Sequence, residues 1–428
     1  MNQNILYTAD LVVPISAAPI TDGAIHVRDG RIVAVGSRQQ LQADVEEGTE
    51  SIDFGAAILM PPLVNAHTHL ELTDFPLWLA KQPSAENQAS PATFVDWILQ
   101  MIQIKHSLEP EQLQQSILNG QKQLLQSGTG AVCDILSVTL LDTVYQQSPL
   151  FGWLCYELIG LDEGMGSVLP MMAKDWLQGA DLMRLQRGLS PHAPYTIGPE
   201  TLSALTELGA RRRVLSSIHA AESPAETQFL DTSTGDIATK LYPLVGWQVP
   251  TPPLATDPAR YLAAANALSP ANILVHGVQF DAAAIHNIAK TNSTVVLCPR
   301  SNAKLGVGRA PVESYLCQSV HLALGTDSMA SNDSLSLWDE MAFAREVYGS
   351  VLSPVQILAM ATINGARALG LDVDLGDLSP GTGANFQILK PSELPQLEDL
   401  ADFLCRGERG SEVAHLYLDN VDILPDML

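Results

Sequence analysis

Apolar residues along this chain recur in two different rhythms. Through the first fifty-odd residues they alternate with polar ones, most regularly across 24–35, where Asp29-Gly30 supplies a dipeptide suited to a tight two-residue turn. That pattern predicts a β-hairpin. The tail carries a similar signal, since Gly376-Asp-Leu-Ser-Pro-Gly-Thr-Gly383 precedes the apolar runs 386–389 and 413–418. Both termini are therefore expected to supply strands to one small β unit, a β-sandwich built from residues 1–57 and 371–428.

Between the termini the rhythm changes to short, continuous apolar runs separated by amphipathic stretches of helix length. Eight such runs are found, at 57–63, 129–134, 152–158, 187–190, 214–218, 273–275, 294–297 and 322–325. Strands buried on both faces read this way. Helices are expected at 110–126, 139–147, 199–210, 281–290, 312–317, 334–347 and 354–369, several opening on proline or a capping hydroxyl. Eight strand–helix units over residues 58–370 predict an α/β fold, a (β/α)₈ TIM barrel, rather than an open doubly wound sheet. No Gly-x-Gly-x-x-Gly follows a strand, which also counts against a dinucleotide fold. The long gap between His219 and Ile273 holds Pro250-Thr-Pro-Pro253, Tyr242 and Trp247. It reads either as an excursion over the barrel mouth or as a surface insertion.

Composition bounds the partners. With 428 residues, 46% hydrophobic and 16% charged, the chain can bury one large core and a satellite. A formal charge of −24 disfavours nucleic acid and anionic membrane surfaces and suits a neutral or amphoteric small molecule, although it also fits a well-solvated surface. The first ten residues lack a secretory signal, and no apolar stretch approaches the roughly 20 residues of a membrane span, so a cytoplasmic protein is expected. The charge leaves oligomeric state open, a homo-oligomer included. Five scattered cysteines suggest neither a disulfide framework nor a zinc knuckle. Cys298 falls near the candidate chemistry.

That chemistry sits at the ends of the apolar runs, where a barrel of this kind gathers its functional groups. His67-Thr68-His69 follows the first run, and two histidines at i and i+2 on extended chain point the same way. His192, His219, His276 and Asp327 end the fourth, fifth, sixth and eighth runs. Any one of them could be a satisfied core or loop residue. Their shared placement predicts a metal site, and imidazoles with a carboxylate suit zinc or iron(II) with a position open for water, which such an ion activates to hydroxide near neutral pH. Glu222, in His219-Ala-Ala-Glu222, reads either as a proton carrier beside that water or as an acid favoured in a helix's first turn.

These residues resemble the amidohydrolase superfamily, specifically its ATZ/TRZ-like, cytosine-deaminase-related branch, over nearly the whole chain. The resemblance implies that His67, His69, His219 and Asp327 ligate one divalent ion, zinc in the first instance. It implies that His276 orients the hydroxide or polarises the substrate, that Asp327 accepts the water proton, and that Glu222 carries it to the substrate ring and on to the departing amine. Two-metal members commonly carry a modified lysine at the fourth strand. Here that strand ends at His192, so one ion is expected.

Finer likeness concerns substrate. Ser190-Pro-His-Ala-Pro-Tyr-Thr196, Cys298-Pro-Arg-Ser-Asn302 and Gly325-Thr-Asp-Ser-Met-Ala-Ser-Asn-Asp333 are similar to segments of deaminases acting on S-adenosylhomocysteine, methylthioadenosine and aminodeoxyfutalosine. His67-Thr-His-Leu-Glu-Leu72 and Phe94-Val-Asp-Trp-Ile98 lean toward the last of these. By this likeness His192, Glu71 and Asn302 are expected to contact substrate. Arg300 is expected either to pair with a substrate carboxylate or to form a salt bridge shaping its loop. Ala384-Asn385 departs from the family's usual Ala-Asp, in the β unit away from the chemistry.

The resulting expectation is a metal-dependent aminohydrolase that deaminates an aminopurine nucleoside and releases ammonia. A cyclic-amide or chloro-triazine hydrolase would keep the site and change the bond. A non-catalytic scaffold of the same fold would be expected to have lost ligands.

Overall fold

The two rhythms of the chain become two sheets. The computed structural model describes residues 4–82, 91–161, 164–180 and 182–424. Strands β1 (Asn4–Val12), β2 (Ile20–Arg28), β3 (Arg31–Ser37), β4 (Glu50–Asp53) and β5 (Ile58–Met60) come first. Eight more follow: β6 (Leu63–Thr68), β7 (Thr129–Leu136), β8 (Phe151–Leu158), β9 (Leu185–Pro191), β10 (Ser216–Ala220), β11 (Asn272–His276), β12 (Thr294–Leu297) and β13 (His321–Leu324). The chain closes with β14 (Phe386–Leu389), β15 (Val413–Leu418) and β16 (Val421–Asp422).

The terminal strands form one sheet in the order β16-β15-β14-β5-β1-β2-β3, with β4 beside β1. Asp29 and Gly30 turn β2 into β3 with φ of 51° and 74°, the paired left-handed conformation that a twisted hairpin needs. The sheet folds back on itself, since Ile32 N–H donates to Thr382 O at 3.0 Å and Gly381 N–H to Ile32 O at 2.7 Å. Tyr7, Ile25, Ile32, Leu59 and Phe386 are buried together in its core.

Strands β6 to β13 pair in sequence order and in parallel, flanked by helices, as a (β/α)₈ barrel. The run 57–63 does not make the first barrel strand. Its residues Ile58–Met60 pair with β1 and β14 in the terminal sheet, and the barrel begins at Leu63. Pro61-Pro62 explains the handover, because neither residue has an N–H to continue a ladder. Helix Pro110–Gln126 forms as expected, with a capping box between Glu109 and Gln112. The stretch 354–369 divides into Pro354–Met360 and Ile363–Ala368, broken at Thr362. Residues Thr139–Tyr145 form a 3₁₀ segment. A helix absent from the sequence reading, Met165–Trp176, is masked there by Pro170 in its interior.

Alternation along β8 separates the inside of the barrel from its outside. Leu154 and Leu158 join the large core beneath the helices, whereas Trp153 and Cys155 pack with Val64, Ile273, Val296, Cys298 and Ala323 inside. Glu157 continues that inner row to the mouth. Cys298 therefore belongs to the barrel filling, and burial pushes its thiol well up, leaving it a small apolar group.

The barrel closes where β6 meets the end of β13. Asp327 N–H donates to His67 O at 3.1 Å and Thr68 Oγ1–H to Asp327 O at 2.9 Å. Asn65 adds two bonds across the seam, accepting from Thr326 N–H at 3.1 Å and donating to Thr326 Oγ1 at 2.7 Å. The approach is close enough that a Cβ on Gly325 would lie 2.9 Å from His67 Cβ. The seam thus holds His67 and Asp327 against each other.

Candidate metal and active site

His67, at the end of β6, is fully buried, and neither of its ring nitrogens has a hydrogen-bond partner among the described residues. Leaving two buried polar atoms unpaired costs free energy unless something else engages them. Its neighbours indicate what. One nitrogen each from His67, His69 and His219 lie within 4.8 Å of one another. Asp327 Oδ1 stands 3.7 Å from His67 Nε2 and 3.6 Å from His69 Nε2. Three imidazoles and one carboxylate oxygen converging in this way form a donor set that fits a borderline divalent ion.

The surrounding bonds aim these donors. His219 Nδ1 lies 3.1 Å from His192 O, and because a carbonyl only accepts, the proton sits on Nδ1 and the Nε2 lone pair faces His69 Nε2 at 3.3 Å. Asp327 Oδ2 accepts from Ser301 Oγ at 2.6 Å and Ser331 Oγ at 2.7 Å, which leaves Oδ1 turned to the histidines. Burial works to raise the Asp327 acid, but interaction with the imidazoles of His67, His276 and His69 outweighs it and holds it well below the usual carboxylate range. Burial, reinforced by neighbouring imidazoles, takes His69 and His219 well below their ordinary value. They are neutral near pH 7, the form that donates a lone pair.

Beside this cluster stands a proton-handling pair. Glu222 Oε1 lies 3.6 Å from His276 Nε2. Burial first, then the charges of Asp327 and Glu226, raise Glu222 well above an ordinary glutamate, which favours its protonated form. His276 Nδ1 contacts Asn302 Oδ1 at 2.9 Å, and burial lowers the ring to about 4. Its Nε2 is therefore an acceptor facing Glu222. Glu226 fixes the turn that presents Glu222, accepting from Ala221 N–H at 3.1 Å and Glu222 N–H at 2.9 Å while Ala221 holds φ of 53°.

His69, His219, Glu222, His276 and Asp327 line a cavity of about 180 Å³. His192 lies on its wall, with Nδ1 2.9 Å from Thr196 Oγ1 and burial lowering the ring to about 4. The roof comes from helix Phe94–Lys105, whose Phe94, Trp97, Ile98 and Met101 face inward, and from the excursion after His219, through Leu241, Val245 and Trp247. Of the two readings of that excursion, covering the mouth is the observed one.

The other expected substrate contacts fall elsewhere. Arg300 does not reach the cavity. Its Nε donates to Asn332 Oδ1 at 2.9 Å and its backbone N–H to Glu340 Oε1 at 2.8 Å. It lines a separate groove of about 780 Å³ with Arg345, Asp402 and Arg406. Glu71 and Asn302 lie one layer behind the wall. Glu71 pairs with Lys105, and Asn302 holds His276.

Two wall residues were missed in the sequence. Lys105 ends the roof helix, on the face marked by Phe94, Ile98 and Met101 at helical spacing. Glu157, the penultimate residue of β8, obeys the same strand-end rule that found the histidines. Burial pushes it up to about 7, opposed by the charge of Lys105.

A model of the amidohydrolase family matches residues 58–409. The chain is 31% identical over 416 residues to a 5-methylthioadenosine/S-adenosylhomocysteine deaminase of Moorella thermoacetica, covering 94% of this chain and 90% of that one. It is 29% identical over 380 residues to the aminodeoxyfutalosine deaminase of Deinococcus radiodurans, covering 85% of each. Its fold is similar to that of Helicobacter pylori aminofutalosine deaminase in complex with methylthio-coformycin, with a TM-score of 0.83 at 22% identity, covering 98% of this chain and 99% of that one.

Proposed function

The chain belongs to the amidohydrolase family, and we propose that it hydrolytically deaminates an aminopurine nucleoside using one divalent ion, zinc, held by His67, His69, His219 and Asp327. The observation that carries the reading is Glu222, a buried carboxyl 3.6 Å from His276 Nε2 and beside the three-histidine cluster. Deamination needs such a group, because a neutral aromatic ring accepts water at its amine-bearing carbon only when a ring nitrogen is protonated as the bond forms. The names of the two curated relatives, both nucleoside deaminases, point the same way.

An ion bound there supplies Lewis acidity, which lowers the pKa of its water toward neutrality. The side chains do the rest. Asp327 Oδ1, with Oδ2 already occupied by two serine hydroxyls, would give one lone pair to the ion, and its other lone pair accepts the proton of the attacking water. His276, protonated at Nδ1 by its contact with Asn302, offers Nε2 as an acceptor that orients that water. Glu222 gives its proton to the ring nitrogen as the C–O bond forms, then takes the hydroxyl proton from that carbon and hands it to the amine as the C–N bond breaks; the proton held on Asp327 returns to Glu222 and restores both groups. Ammonia and the oxo-purine leave. The roof of Phe94, Trp97 and Met101 excludes bulk water and offers apolar surface to a purine.

The test is ammonia release by the metal-loaded enzyme from adenosine, methylthioadenosine, S-adenosylhomocysteine and aminodeoxyfutalosine, with guanine and cytosine as comparators. Deamination of at least one nucleoside is expected. No ammonia from any of them, or ring opening in its place, would overturn the proposal.

A further inference from the structure

The proposed chemistry leaves three charged groups of the site unused: Glu157 at the end of β8, Lys105 at the end of the roof helix, and Glu71 just after β6. Lys105 Nζ donates to Glu71 Oε1, whose other oxygen accepts from Ser137 N–H and Oγ–H at 3.0 Å each. Glu71 is thereby saturated, and its charge cancels that of Lys105. Glu157 contacts His192 Nε2 at 3.9 Å. Ionised or protonated, it leaves the three groups with a summed charge of minus one or zero.

No other cation offsets this. Lys105 is the one lysine or arginine lining the cavity among the described residues. The stretches 1–3, 83–90, 162–163, 181 and 425–428 contain neither residue type. Lys240 on the covering excursion is engaged by Asp96 and Asp236 at 2.9 Å each, and Lys304 by Asp333 at 2.6 Å.

The position of the three groups gives this charge balance a consequence. β8 stands across the mouth from β12 and β13 in the order of the barrel. On the proposal below, a purine whose amine-bearing carbon lies among Glu222, His276 and Asp327 places its sugar against Glu157, Lys105 and His192, the polar groups of the same cavity that the chemistry leaves unused. Hydroxyls suit those groups, since Lys105 has N–H donors left over and Glu157 accepts. A carboxylate meets Glu157 with no unpaired cation to compensate, and like charges brought together in a desolvated cavity repel strongly.

Resting on the deaminase reading, we propose that the cavity selects nucleosides whose sugar-side substituent is uncharged, with Glu157 and the neutralised Lys105–Glu71 pair rejecting a carboxylate there. The test compares 5′-methylthioadenosine with 5′-(carboxymethylthio)adenosine, which differ by one carboxylate on the same sulfur substituent. The wild-type enzyme is expected to favour the neutral compound by about tenfold or more in kcat/KM. Glu157→Gln should narrow that ratio about tenfold through the acid substrate, and Glu71→Gln, which frees the charge of Lys105, should narrow it too. A wild-type ratio below about threefold, a preference for the acid, or an unchanged ratio in a metal-replete Glu157→Gln enzyme would overturn the proposal. If neither variant folds, the wild-type ratio decides. If neither compound releases ammonia, the deaminase reading has failed instead, and calorimetric binding of the two compounds still reads the selectivity.

Discussion

Glu226 makes the sharpest demand on this account, because it touches neither the histidines nor the cavity and yet is expected to control turnover. Its two carboxylate oxygens accept from Ala221 N–H and Glu222 N–H, holding a turn in which a non-glycine residue sits at φ of 53°. Left-handed backbone costs an alanine roughly 1–2 kcal/mol, and bonds to a carboxylate contribute about 1.5–3 kcal/mol each. Glu226→Gln keeps the shape, but its amide NH₂ now opposes one of the two N–H donors. The turn's preference for the conformer that presents Glu222 should then fall by about 2 kcal/mol, about thirtyfold in population. We therefore expect kcat to fall about ten- to thirtyfold. Metal content should stay the same, since His219 is held by the strand ladder and His192 O. A second readout distinguishes positioning from general damage. The charge of Glu226 helps raise Glu222, so removing it should move the kcat limb governed by loss of the Glu222 proton to lower pH. Steady-state kinetics across pH on metal-replete enzyme read both. A Glu226→Gln enzyme with kcat within twofold of wild type and an unmoved pH limb would refute the reasoning.

Removing a ligand and removing the proton carrier should have opposite signatures. His69→Ala is expected to retain under about one tenth of an equivalent of metal, whereas Glu222→Gln should keep a full equivalent by elemental analysis and lose about 10²–10⁴ in kcat. Arg300→Met should change KM for neutral and acidic nucleosides by the same factor, because its bonds go to the loop; a selective loss with acids would return it to the cavity. Glu340 is a fourth case. Burial raises it to about 8 in the folded chain, against about 4.5 for an ordinary glutamate, so the folded state binds a proton that the unfolded state has lost between those values. Its contribution to stability is present at low pH and declines as pH rises toward 8. The stability of Glu340→Gln relative to wild type should accordingly improve from pH 5 to pH 8 in urea unfolding, and parallel profiles would contradict the assignment.

Most of the barrel and the metal cluster could be read from sequence for one physical reason. Parallel strands buried on both faces leave continuous apolar runs, and the polar residue that ends such a run sits at the mouth, so His67, His219, His276 and Asp327 were each marked by position. The junction at 57–63 misled because an apolar run does not say which sheet it joins; only Pro61-Pro62 hinted at the break. Glu157 obeyed the strand-end rule but lacked a second histidine or a spacing motif to draw notice. Lys105 and Arg300 carried no such mark. Both lie on elements outside the barrel ring, where the direction of a long side chain depends on packing that no local pattern records. The roof helix turns Lys105 into the cavity, and Glu340 and Asn332 draw Arg300 away from it.

The central claim, a one-ion aminohydrolase, is tested most directly by titrating zinc into metal-free protein while ammonia release from a competent nucleoside is followed. Activity should rise in proportion to added zinc and reach its plateau at one equivalent. A plateau at two equivalents, or full ammonia release before any ion is added, would contradict it.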